Sequence, residues 1–308
     1  MDRISFMRDP PRAMTRVTAT RLLRVAMRLC AICCFIGFLG SNSGRAAAQG
    51  GLTPAAEDGP CSLALAIPAV VALVDEDFDL LLDDGRRVAL AGLEYPPPGG
   101  KAKALREAAF SRLSNWLAGE QIFLAPLASA PDRWGRAPAQ AVAAADSSPG
   151  APFVSVGAAL LAEGFARFRP DPVASPCAKT YLDAEKLARD QNLGVWIGDP
   201  VVEVSGAGEA VRAALTRRKG MAVVSGVVQS VGEAPGAIYL NFGPRRNVDF
   251  AVVISKRNMA IFERSGVSPR ALHGRRIRVR GLIETNYGPR MEIAAPAEIE
   301  ILDAAPIR

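Results

Sequence analysis

Residues 70–93 read as two runs of alternating apolar and polar side chains joined by Asp83-Asp84-Gly85. Alternation of this kind marks half-buried strands, and an Asp-Gly pair between them supplies the positive backbone angles that a tight hairpin turn requires. Strands are therefore expected over 70–82 and 87–93. Pro96-Pro97-Pro98-Gly99-Gly100 then ends the sheet pattern, because consecutive prolines cannot donate to a ladder. Between residues 102 and 118, Ala104, Leu105, Ala108, Ala109, Leu113, Trp116 and Leu117 recur at helical spacing before Gly119, which predicts an amphipathic helix. Residues 121–127 and 137–144 read as further strands around the polar loop Asp132-Arg133-Trp134-Gly135-Arg136. Helices over 156–163 and 181–190, with a short strand over 165–168, complete this part.

Beyond Gly220 the pattern changes to strands alone. Strands are expected over 222–231, 238–242, 248–254, 275–283 and 291–301, with one short helix over 256–262. Five strands and a small helix at this length suggest a small barrel of the oligonucleotide/oligosaccharide-binding (OB) type. Residues 201–219 read as a connector with a helix at about 209–218.

Composition limits the function classes. At 308 residues, 49% hydrophobic and 22% charged, the chain is neither disordered nor fibrous. Five Cys and one His without regular ligand spacing exclude a conventional structural zinc site. The formal charge of +6 belongs to the first 48 residues, where eight Arg face two Asp. That segment, with its basic start, apolar stretch from Leu29 to Leu39 and Ala46-Ala47-Ala48, has the order of a secretory signal. Its apolar stretch is shorter than the roughly 20 residues a spanning helix needs, so no stable membrane span is expected after cleavage. Export to the periplasm or medium is the reading, with an uncleaved N-terminal anchor as its alternative. Residues 49–200 carry 13 basic and 19 acidic side chains, and 201–308 carry 16 and 10. Either an anionic partner meets the second half first, or the halves attract each other. Cys30, Cys33 and Cys34 leave with the signal, and Cys61 and Cys177 remain. In an oxidising compartment two Cys suggest one disulfide, worth about 4 to 5 kcal/mol for so long a loop in the chain-entropy model; two buried thiols are the alternative.

Several blocks together point to a family: Val74-Asp75-Glu76-Asp77-Phe78, the Asp84-Gly85 turn, Val88-Ala89-Leu90-Ala91-Gly92-Leu93-Glu94-Tyr95-Pro96, Asp132-Arg133-Trp134-Gly135-Arg136 and Leu160-Leu161-Ala162-Glu163-Gly164-Phe165-Ala166. With Ala184-Glu185-Lys186-Leu187-Ala188 and Leu193-Gly194-Val195-Trp196, residues 65–197 resemble the staphylococcal nuclease, or thermonuclease, family. The resemblance implies a five-stranded barrel with helices packed on it. The expected fold class is thus mainly β with helices (α+β), as two tandem OB-type barrels. The expected domains are a signal peptide at 1–48, a tether at 49–64, the thermonuclease-like domain at 65–199, a linker at 200–219 and a second OB-like domain at 220–304.

Family nucleases cleave phosphodiesters with a calcium ion held by carboxylates and a carbonyl, a Glu that activates water, and two Arg that stabilise charge on phosphorus. Carried onto this sequence, the resemblance implies Asp77, Glu94 and the Tyr95 carbonyl as metal ligands and Arg136 as one catalytic Arg. Ala89 stands where the other Arg belongs and Pro97 where the Glu belongs. Losing such a cation costs on the order of 10³-fold, and losing a general base about 10²- to 10⁴-fold. Arg87, on the same strand face as Ala89 and about 6 to 7 Å away, is the one candidate substitute. The expectation is an exported thermonuclease-like protein with degenerate or weak nuclease activity, binding nucleic acid or an envelope protein. The alternative is an active calcium-dependent phosphodiesterase. For single-stranded nucleic acid the candidate contacts are Trp134 beside Arg136, and Arg276, Arg278 and Arg280, which alternation puts on one strand face. An ordinary solvated strand face is the competing reading of those three Arg.

Overall fold

The computed structural model describes residues 66–171, 175–204, 209–218, 220–285 and 288–302, so the expected signal, the tether and Cys61 lie outside the described residues. β1 (Ile67–Val74) runs antiparallel to β2 (Leu80–Leu82), with Val74 opposite Leu80 and Val71 opposite Leu82. The single strand expected over 70–82 is thus broken in its middle. Asp75 is the chemical cause: its Oδ1 accepts the amides of Asp77 at 2.9 Å and Asp79 at 3.0 Å. This local bonding competes with an extended backbone. Phe78 completes the turn at φ 67°. The Asp84-Gly85 turn leads into β3 (Arg87–Leu90) as expected, with Leu80 opposite Val88.

After β4 (Leu93–Glu94), α1 (Lys103–Leu117) packs on β1 and buries Ala109, Leu113 and Leu117, which recur every four residues on one face. β5 (Gln121–Pro126) pairs with β1, β6 (Arg136–Ala144) pairs with β5, and β6 returns in parallel to β3. The order β3-β2-β1-β5-β6, closed by β6 on β3, is a five-stranded barrel consistent with an OB-like fold. Val71, Leu80, Val88, Ile122 and Leu124 fill it. Each such side chain, fully enclosed, contributes about 1.5–3 kcal/mol as an upper estimate.

β7 (Phe153–Ser155), which the sequence pattern did not reveal, extends the β6 edge. Its last residue, Ser155, caps α2 (Val156–Ala162) by accepting the Ala158 amide at 3.3 Å. β8 (Arg167–Phe168) pairs with β4, α3 (Ala178–Asp190) lies against α2, and α4 (Val195–Gly198) buries Trp196.

Part of the expected connector is structured. β9 (Val202–Val204) pairs in parallel with β10 (Met221–Val227), and α5 (Glu209–Thr216) lies between them in sequence. The chain continues through β11 (Ser230–Glu233), β12 (Ala237–Asn241), β13 (Ala251–Ser255), α6 (Met259–Arg264), β14 (Arg276–Glu284), β15 (Arg290–Ile293) and β16 (Ile299–Ile301). The strand order is β11-β12-β13-β15-β14-β10-β9, with β16 on β14 and with β13 and β15 parallel. The strand expected over 222–231 is bent: the Val228 amide bonds Arg275 O at 3.0 Å, and the next amide, of Gln229, bonds Asn241 O at 2.8 Å. The chain thereby changes partner from β14 to β12. Ala188, Trp196 and Val223 form a small apolar cluster where the second sheet meets the helices of the first half.

Candidate functional site

Five charged side chains, Arg87, Arg136, Asp75, Asp77 and Asp79, converge where the turn after β1 faces β3 and β6. Barrel closure sets Arg87 of β3 directly beside Arg136 of β6 in the parallel register. The Asp75–Asp79 turn, which starts just after β1, faces them. Arg106 of α1 clamps that turn, donating to Glu76 O at 2.7 Å and to Pro96 O at 2.9 Å. Phe78 is buried beneath it, stacked on Tyr95 with ring centroids 3.8 Å apart.

Arg87 lies among the carboxylates. Its Nη2 pairs with Asp75 Oδ2 and lies 3.9 Å from Asp77 Oδ2, while its Nε lies 2.9 Å from Asp79 Oδ2. Burial works against the guanidinium charge, but Asp75, Asp79 and Asp77 outweigh it and hold the Arg87 pKa above its ordinary value. Arg136 bonds Asp132 at 2.9 Å and lies 3.8 Å from the other oxygen of Asp79. Asp79, only 3% exposed, is thus flanked by both cations. Burial nevertheless raises its pKa, outweighing the attraction of Arg136 and Arg87.

The remaining expected ligands go elsewhere. Glu94 faces Arg167 and Arg169 and accepts the Met221 amide of the second half, with burial raising its pKa against those charges. Tyr95 is fixed by its stack on Phe78, and among the described residues its buried hydroxyl has no hydrogen-bond partner. Ala89 lies opposite Pro138, and Pro97 is exposed.

A calcium ion needs about six to eight oxygen ligands, and the residues assigned to it by resemblance do not fit that requirement. Asp75 and Asp79 are committed to guanidinium groups, Asp77 is left exposed at the rim, and Glu94 is turned towards other cations. Among the described residues, no group of three or more His, Cys, Asp or Glu side chains is arranged to hold a metal ion.

No family model matches the chain, and no curated protein matches it. The site therefore has to be read from its own geometry. That geometry joins Arg87 and Arg136 to the acidic turn and sets Trp134 beside them. Trp134 is 59% exposed, with the Arg133 and Arg136 guanidinium carbons 4.0 Å and 4.9 Å from its ring centroid.

The three arginines of β14 depart from the expected open face. They do share one side of the strand, but that side is progressively covered. Arg276 pairs with Glu203 at 2.6 Å, Arg278 with Glu300 at 3.0 Å, and Arg280 is 1% exposed. Arg280 donates to Glu185 at 2.8 Å, to Glu300 at 2.7 Å and to Phe168 O at 3.0 Å. Its guanidinium ties α3 to β14 and β16, which corrects the expectation that it meets a polyanion. Glu185, quoted only as part of a family block, and Glu300 were not expected to meet Arg280; no local signal marks either as its partner. Cys177 is buried, and Cys61, its expected partner, lies outside the described residues.

Proposed function

We propose that this is an exported protein built on a thermonuclease-like barrel that has lost efficient catalysis and serves as a binding or scaffold module. Its second half reads as another OB-like barrel. Counting β10 and β11 as halves of one bent strand makes the second sheet follow the same order as the first, with β14 on β10, β15 between β14 and β13, and β12 between β13 and β11. Single-stranded nucleic acid or an envelope protein is the proposed partner, and the basic, apolar start of the chain is the basis for export. Among the described residues, no helix is long and apolar enough to cross a membrane.

One observation carries this reading: the guanidinium of Arg87 pairs with Asp75 and Asp79 and lies 3.9 Å from Asp77, the one expected calcium carboxylate in that cluster. Ala89 and Pro97 agree with it, since neither supplies a cation or a base. The test is hydrolysis of single-stranded DNA by the purified chain in calcium and in chelator. Cleavage no faster with calcium supports the reading, and calcium-dependent cleavage abolished by Asp77→Ala overturns it.

The adjacency of Arg87 and Arg136 beside an exposed Trp134 favours a second reading, a phosphodiesterase that uses both cations on phosphate with Asp77 and Glu94 holding calcium. Under that reading calcium raises the melting temperature and Arg136→Ala removes a measurable activity. Absence of any calcium-linked stabilisation leaves it without a site.

A further inference from the structure

A cleft of about 420 Å³ opens on the outer face of β11, β12 and β13, within the range of roughly 300–1,000 Å³ usual for small-ligand sites. Strand alternation builds its floor. Ile238 and Leu240 enter the core, so Tyr239 and Asn241 between and after them face outward into the cleft. Tyr239 stands in register with Gly232 on β11 and Val253 on β13. Gly232 places no side chain beside the ring; a Cβ there would lie 3.8 Å from Tyr239 Cβ. Among the described residues neither a ring nor a guanidinium covers the Tyr239 face.

The charges around this ring are unevenly spent. Arg245 is held by Asp249 at 2.8 Å and Arg290 by Glu284 at 2.7 Å. Glu233, at the other end, is taken by Arg270 and Lys256, whose hydrogen bonds pull its carboxyl down to about 2. Arg246 lines the cleft without an acidic partner among the described residues. Beside the cleft, backbone also packs closely at Gly288. Gly288 has φ 86°, and a Cβ on it would lie 2.4 Å from Asn247 O, so the backbone at 288 lies directly against that at 247. A side chain at 288 would push them apart.

We propose that this cleft binds an aromatic base together with its phosphate, the base stacked on Tyr239 and the phosphate on Arg246. An uncovered aromatic face accepts any base, and a free guanidinium matches phosphate geometry. Free nucleotide and single-stranded nucleic acid both offer this chemistry. The inference names a ligand for the binding module proposed above and rests on that part of the reading, but not on whether the first barrel cleaves.

The test titrates the full chain into fluorescein-labelled oligo-dT in chelator and follows anisotropy, so that calcium-dependent cleavage, assayed separately, cannot affect the result. Saturable binding is expected, weakened roughly 5- to 150-fold by Tyr239→Ala and retained by Tyr239→Phe. Arg246→Ala should make the salt dependence shallower by about 0.7 in the log–log slope, and it keeps the proposal testable should Tyr239→Ala fail to fold. Competition by thymidine monophosphate assigns the cleft to free nucleotide; competition by unlabelled oligo-dT alone assigns it to the strand. Either supports the proposal. No binding up to about 100 µM protein, the weak end of non-specific binding, overturns it. Binding untouched by both variants, or displaced equally well by polyglutamate, overturns it too.

Discussion

Arg87 donates into a turn that Asp75 has already organised, so one side chain offsets part of the charge of the cluster that another has shaped. Removing the guanidinium leaves three carboxylates close together, one of them enclosed. Arg87→Ala is therefore expected to melt below wild type in chelator and to recover about 2–4 °C when millimolar calcium is added, while wild type does not respond. Scanning fluorimetry with and without calcium checks this, and an equal calcium shift in wild type would contradict it. At Asp79 burial raises the pKa, so the folded protein takes up a proton there more readily than the unfolded chain. Its contribution to stability is therefore greatest at acid pH and declines as pH rises through the raised pKa. Asp79→Asn should remove that decline from a stability–pH profile.

At the scale of elements, the contact between α3 and the sheet of β14 and β16 rests on a buried charge network around Arg280. Truncating Arg280 takes two hydrogen bonds from the fully buried Glu185, leaving it Arg189 at 3.1 Å, and leaves Glu300 with Arg278 at 3.0 Å. Arg280→Met should cost about 3–5 kcal/mol in denaturant unfolding, and adding Glu185→Leu should restore much of it. Burial pushes Glu300 upward, but Arg280, Arg278 and Arg189 outweigh it and hold its pKa below the ordinary value. Its stabilising contribution is complete above the ordinary glutamate pKa, near about 4.3, and is lost as pH falls through the depressed value. Glu300→Gln should flatten the acid limb of the unfolding curve. Most strands and α1 were legible because their apolar periods are long and unbroken. The turn at Asp75–Phe78 was not, since an Asp that bonds its own backbone looks in sequence like a polar strand residue facing water. β7 was too short to show a period. Arg87 and Arg136 were recognisable as cations, but their adjacency follows from the β3–β6 register. The alternation of Arg276, Arg278 and Arg280 was equally readable. What covers Arg280 was not, because Glu185 lies 95 positions away in the chain.

Across the whole molecule, the opposed charge balance of the two halves has a structural counterpart in these ion pairs, which supports mutual attraction as one use of it. Cys61 and Cys177 are expected to be joined in the exported form. Alkylation of the denatured, unreduced chain should label neither cysteine, and labelling of both would show free thiols. The proposed loss of calcium-dependent cleavage in the first barrel rests on Arg87 lying among Asp75, Asp77 and Asp79. It is tested most directly by the rate of single-stranded DNA cleavage by the purified chain with calcium and with chelator, beside Asp77→Ala. The account predicts the same background rate in all three; cleavage that appears with calcium and disappears with Asp77→Ala would contradict it.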